Sequence, residues 1–177
     1  MRRRVRSRFP LVAFIVAVLI VLRLFTRSFD RDPFPFDAAE SYRVQRVVDG
    51  DTLLLTDGTR VRLLGVDTPE TKHPTLPPEP LGVEASEFTR QHVEGRAVTL
   101  QFDRERRDRY HRVLAYVYLD DWMLNEELIR AGFSRAETRF PYSSAMKRRF
   151  RAAEKEARDN NRGLWANSNN RGLPSKN

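Results

Sequence analysis

Four acidic residues stand in two tight groups, Asp49-Gly50-Asp51-Thr52 and Asp67-Thr68-Pro69-Glu70. Each group falls at the end of a stretch that reads as a β-strand. Carboxylates at strand ends are a common way to build a hard-cation site, because Ca²⁺ takes several oxygens at about 2.3–2.6 Å. Turn chemistry competes with that reading. Asp-Gly is a turn signal in its own right, and Asp-Thr-Pro also starts turns, so either group alone reads better as a turn. The two together, with Glu70 two residues beyond Thr68, favour a site. An EF-hand is excluded, since Leu53 stands where a third ligand is required and Arg60 where the loop needs its glutamate.

Two arginines bear on the same question. Arg62 lies five residues before Asp67 in the stretch Arg60–Val66, and an odd spacing puts the two side chains on opposite faces of an ideal strand. A shared site therefore needs curvature or a bulge. Arg112 opens a later strand, after Tyr110. Its planar fork matches phosphate oxygens, although a lone arginine at a strand edge is usually just solvated, and spacing leaves both readings open.

The elements that must position these residues are short. Arg43–Val48, Thr52–Thr56 and Arg60–Val66 read as strands, the last two flanking a two-residue Asp57-Gly58 hairpin turn. Residues 69–80 hold five prolines and form a loop. Leu81–Val93 reads as a helix with Leu81, Ala85, Phe88 and His92 on one stripe, ended by Gly95. Ala97–Phe102 and Arg112–Leu119 are two further strands joined by a charged loop. Trp122–Ala131 and Pro141–Asn160 read as helices, the second with Met146, Phe150, Ala153 and Ala157 on one face. Three strands, a helix, two strands and two helices give an α+β class: a five-stranded OB-fold Greek-key β-barrel with three helices.

Composition narrows the function classes. The 177 residues include no cysteine, which excludes disulfide scaffolds, thiolate metal sites and cysteine nucleophiles, and only three histidines, far apart. The net charge of +8 is uneven: residues 1–32 carry eight arginines and two aspartates, leaving 24 basic and 22 acidic side chains in residues 33–177. The charge is thus weak evidence about what the folded domain binds. Five of those arginines precede an apolar run from Leu11 to Leu22. Residues 1–28 read as a basic n-region and hydrophobic signal-anchor helix, since no Ala-x-Ala cleavage site follows. The domain is then expected at the cell membrane on the outer side, or secreted if the segment is cleaved. Residues 29–41 read as a linker, 42–166 as the domain and 167–177 as a disordered polar tail.

The segments VVDGDTLLL, VRLLGVDTPETKHP, EASEFT, DRYHRVLAYVY and LNEELIRAGFS resemble the staphylococcal (micrococcal) nuclease family, the thermonucleases. The resemblance runs from about Tyr42 to Trp165, with the motifs in the family's order and spacing. It implies an OB-fold barrel and a Ca²⁺-dependent phosphodiesterase acting on DNA and RNA, leaving a 3′-phosphate. By resemblance the metal ligands are Asp51, Asp67 and the Thr68 carbonyl. The general base is Glu70, and Arg62 and Arg112 are the catalytic arginines. Arg109, Tyr110 and Phe140 correspond to substrate-binding positions. The sequence departs from the family where His111 replaces the glycine before the catalytic arginine, and where Thr138 and Phe140 replace two tyrosines.

Three readings follow. The first is a Ca²⁺ nuclease with nucleic acid as its partner, single strands preferred, held to a membrane by its N-terminal helix and monomeric, with no protein partner. The second is a catalytically inactive nuclease-like OB-fold module that binds nucleic acid through charge and stacking. The third is an oligosaccharide-binding envelope protein using Tyr110 and Phe140.

Overall fold

The computed structural model describes residues 36–38, 40–71 and 79–166. The expected N-terminal hydrophobic helix, most of the linker and the polar tail lie outside the described residues. The domain itself is built from β1 (Ser41–Asp49), β2 (Thr52–Leu55), β3 (Arg60–Leu63), β4 (Val66–Asp67), α1 (Gly82–Val93), β5 (Ala97–Gln101), β6 (Val113–Leu119), β7 (Trp122–Met123), α2 (Leu124–Arg130), β8 (Arg135–Ala136) and α3 (Ser144–Asp159), followed by a 3₁₀ turn at Gly163–Trp165.

Val, Leu and Tyr dominate the strands and alternate inward, which suits a pleated, half-buried surface. The sheet runs β3-β2-β1-β5-β6-β7, and a parallel pairing of β3 with β6 closes five of these strands into a barrel. Closure needs one strand to serve two neighbours. β1 does so: Ser41–Arg43 pair with β5, and Val44–Asp49 pair with β2 through two register shifts that bend it.

The barrel interior is apolar. Val44, Leu53, Leu55, Val61, Leu63, Leu100, Val113, Ala115 and Val117 are essentially inaccessible. Each buried Val or Leu stabilises by roughly 1.5–3 kcal/mol relative to exposure. α2 plugs the barrel with Leu124, Leu128 and Ile129, and α3 packs over it with Phe150, Ala153 and Ala157. Asn125 ties α2 to the closing seam. Its fully buried amide accepts from Val117 N and donates to the carbonyls of Leu64 and Ala115.

Several expectations shift in detail. The strand over 60–66 breaks at Leu64-Gly65. Gly65 has φ +72°, and a Cβ there would sit 2.6 Å from the Phe150 ring. The hairpin after β2 closes from Leu55 to Thr59 over three residues, not two, with Asp57 Oδ1 accepting from Thr59 N. In α1 the buried face is Gly82, Ala85, Ser86, Thr89 and Val93, while Phe88 and His92 are only half-buried. The rotation follows from that face packing on β1, where Thr89 Oγ1 donates to Gly50 O. Trp122 and Met123 form a strand edge, so that helix starts at Leu124. The helix expected from Pro141 starts at Ser144.

Candidate active site

Strand register brings the arginines and acids together. β2 pairs with β3 so that Thr52 lies opposite Arg62, and Leu63 N donates to Asp51 O. The parallel β3–β6 pairing sets Arg62 opposite Leu114 and Val61 opposite Val113, which brings Arg112 to the same end of the barrel. The break at Gly65 then returns the chain through β4, so Asp67 reaches Arg62 although their spacing is odd. β8 holds β4 in place, pairing Asp67 with Arg135, and Asp67 N donates to Ser134 Oγ.

Arg62 bridges the acidic groups. Its Nη1 lies 2.5 Å from Asp51 Oδ2 and its Nη2 3.2 Å from Asp67 Oδ1. The Asp51 side chain is 11% exposed and that of Asp67 63%. Burial pushes the Asp51 carboxyl above the usual range, against the pull of Arg62 and the hydrogen bonds from Thr68 N and Thr52 Oγ1. The two acidic loops touch at Gly50, where a Cβ would fall 2.7 Å from Thr68 Oγ1. That hydroxyl is buried and has no hydrogen-bond partner.

Asp49 is a hub. Its Oδ1 accepts from Gly50 N, Thr71 Oγ1 and Ser86 Oγ. Glu70 lies against it. Burial, then the hydrogen bond and charge of Asp49, raise the Glu70 carboxyl above its ordinary value, opposed by Arg62.

Arg112 is held by Asp108, to which the sequence assigns no role. Asp108 Oδ2 accepts from Arg112 Nε at 2.7 Å, and its Oδ1 accepts from the backbone of Tyr110 and Arg112. Burial raises the Asp108 carboxyl, but these donors outweigh it and leave it below the usual range. The signal was present as an Asp four residues before an Arg, a spacing with no fixed meaning inside a loop. His111 adopts φ +62°, keeping the left-handed turn a glycine would make. Arg109 Nη2 donates to Tyr110 Oη, and its Cζ lies 4.8 Å from the ring centroid.

A cleft of about 840 Å³ collects Arg62, Asp67, Arg109, Tyr110, Arg112 and Phe140, together with Arg139. Tyr110 and Phe140 are 62% and 58% exposed. Six of the nine expected site residues thus line one cavity. Asp51, Thr68 and Glu70 are outside its lining: Asp51 is buried against Arg62, Thr68 is buried against Asp51, and Glu70 leans on Asp49. Among the described residues no three His, Asp or Glu side chains converge as a ready-made metal cluster. The donors at hand are the Asp51 and Asp67 carboxylates and the oxygens of Thr68. They fit a hard cation: all are oxygen, the buried Asp51 carries more charge cost than Arg62 offsets, and the buried Thr68 hydroxyl lacks a partner.

Residues 60–167 match the model of the family described as staphylococcal nuclease homologue. The chain is 41% identical over 158 residues to the thermonuclease of Staphylococcus intermedius, covering 85% of this chain and 94% of that protein. It is 39% identical over 163 residues to the thermonuclease of Staphylococcus hyicus, covering 86% and 94%. It is 37% identical over 129 residues to endonuclease YncB of Bacillus subtilis strain 168, covering 71% and 61%. With the barrel, the cleft arginines and these relatives in view, the chain belongs to the staphylococcal nuclease family.

Proposed function

We propose that this protein is a calcium-dependent nuclease that hydrolyses phosphodiester bonds in DNA and RNA with little sequence preference, leaving 3′-phosphates. The observation that carries it is one cleft into which Arg62 and Arg112 both open, with Asp67 at its wall and two exposed aromatic rings at its rim.

A phosphodiester is anionic and repels nucleophiles. Arg62 and Arg112 offer guanidinium forks to its non-bridging oxygens, and they stabilise the extra negative charge of the five-coordinate transition state. Asp108 fixes the direction of the Arg112 fork. Water forms a bond to phosphorus as the bond to the 5′ oxygen breaks, and the leaving 5′ oxygen takes a proton from solvent water, giving a 3′-phosphate and a 5′-hydroxyl. Glu70 takes the proton of the attacking water at its carboxylate. Asp51, Asp67 and the Thr68 carbonyl would hold Ca²⁺, which supplies positive charge beside the phosphate and makes an adjacent water more acidic. Tyr110 and Phe140 receive unstacked bases, which favours single strands and reads no sequence. The N-terminal segment anchors the domain at the outer face of the cell membrane, or releases it if cleaved.

The test is cleavage of end-labelled single-stranded DNA by the full-length chain with Ca²⁺, then with chelator. Cutting is expected to stop on chelation. Glu70→Gln is expected to lower the rate by about 10²–10⁴-fold with the fold retained. Binding of the strand without any cutting in Ca²⁺ would instead favour an inactive OB-fold binding module.

A further inference from the structure

The N-terminal half of α3 is charged against its own helix. Ser144–Arg151 contain Lys147, Arg148, Arg149 and Arg151 and no acid, and the first turn has no acidic residue. Lys147 in the first turn opposes the macrodipole, and the like charges Arg148–Arg151 at i, i+3 and Lys147–Arg151 at i, i+4 repel along the helix. Farther along, the helix behaves normally, with Lys155 paired to Asp159 and Arg158 to Glu154. In the first half only Arg149 has such a partner, Glu126. Among the described residues, Lys147, Arg148 and Arg151 have no carboxylate at ion-pair distance. Lys147 Nζ lies 5.0 Å above the Tyr142 ring, and Arg148 and Arg151 are exposed. Their i, i+1, i+4 spacing puts all three on one side of the helix, away from the buried Phe150–Ala153–Ala157 stripe.

This side is continuous with the cleft. Arg151 Nη2 donates to Thr138 Oγ1 at 3.2 Å. The next residue, Arg139, lines the cleft with its side chain 82% exposed, steadied by Nε and Nη2 on the Glu137 carboxylate.

We propose that Arg139 at the cleft lip and Lys147, Arg148 and Arg151 on α3 form one cationic track that binds the sugar-phosphate backbone of a single-stranded polynucleotide beyond the cleft. This rests on the nuclease reading for its substrate class. It explains like charges grouped on one side of a helix where they repel one another. The track raises affinity for long strands and leaves the smallest substrates unaffected.

The test is fluorescence anisotropy with the full-length chain in chelator. The probes are a thymidine dinucleotide and an oligothymidylate of about 20 nucleotides, longer than a single OB-fold's usual footprint. The variant Lys147→Gln/Arg148→Gln/Arg151→Gln is expected to weaken the long probe about tenfold at moderate salt. It should also flatten the slope of log Kd against log salt by roughly 2. Dinucleotide affinity should move less than twofold. The variant should melt no lower than wild type, because the cations it removes have no carboxylate partner among the described residues and repel one another. Arg148→Lys/Arg151→Lys should keep the long-strand affinity, since charge is what tracks phosphate. An equal loss on both probes, or no loss on the long one, overturns the track. Unchanged oligonucleotide affinity with lost sedimentation on phosphatidylglycerol vesicles overturns it in favour of a membrane contact. Cleavage is not read here, so a chain that never cuts in Ca²⁺ fails the nuclease reading alone, and a failed track leaves dinucleotide hydrolysis intact.

Discussion

Arg62 already pairs with both carboxylates that the proposed cation would share, with Asp51 at 2.5 Å and Asp67 at 3.2 Å. Arginine and cation therefore compete for one charge. Arg62→Gln leaves the buried Asp51 unpaired and is expected to cost roughly 3 kcal/mol without metal. Added Ca²⁺ should then restore more stability to the variant than it gives wild type, because linkage scales with affinity for the folded state. Thermal melts with and without Ca²⁺ check this; an equal or larger Ca²⁺ response in wild type would rule the competition out. His111 is a different case. Its left-handed backbone costs a side chain about 1 kcal/mol. His111→Gly should raise stability by about that amount in a urea titration, with activity retained, since the Asp108 clamp on Arg112 stays in place. A fall in stability would mean that the imidazole packs to advantage.

Loop and strand geometry decide what those residues can reach. Asp108→Asn keeps an acceptor for the Tyr110 and Arg112 amides but removes the charge that holds the Arg112 fork. We expect kcat/KM to fall about tenfold, near 1.4 kcal/mol, with little change in melting. A loss shared equally with stability would make Asp108 merely structural. This clamp was the part of the site least legible from sequence, because a contact inside an irregular loop leaves no periodic trace. The Arg62–Asp67 contact was also hidden: alternation along one strand sets them apart, and only the turn at Gly65, tight against Phe150, brings them together. What the sequence did carry was local. Apolar alternation marked the strands, and the Phe150, Ala153 and Ala157 spacing marked the face of α3 that is buried. The stripe expected on α1 is rotated: Ala85 is buried as expected, but β1 and the Gly50 carbonyl select Ser86, Thr89 and Val93 beside it and leave Phe88 and His92 half-buried. The order of elements suggested a Greek-key barrel, but the parallel β3–β6 seam joins segments far apart in the chain, and only the folded structure shows it bringing the arginines to one end.

Across the molecule, Asp103 links barrel, charged loop and α3. Its Oδ2 accepts from Tyr116 Oη at 2.7 Å and from Ser143 N at 2.8 Å, and its Oδ1 accepts from Arg104 N. Burial raises this carboxyl, but the three donors prevail and hold it below the ordinary aspartate range. Asp108 is lowered in the same way, and Glu137 is lowered chiefly by Arg139. For each, the unfolded chain binds protons more readily than the folded one, so stability rises with pH through this window. The contribution is complete above the unfolded aspartate value of about 3.9 and is lost as pH falls through the lower folded value. These three contributions should therefore stay flat from neutrality down to about pH 5 and be lost below about pH 4, while the raised Asp51 and Glu70 carboxyls act the other way and add stability as pH falls. Asp103→Asn tests which group carries that loss. At neutral pH the variant loses a charged acceptor for two donors and should be less stable by about 1–2 kcal/mol. In acid, wild type loses that charge as pH falls through the lowered folded value of Asp103, so the gap should narrow. Melting both proteins at neutral pH and again near pH 3 measures the gap directly. A deficit of the same size at both ends would mean that the carboxylate charge contributes nothing and that Asp103 holds α3 by shape alone.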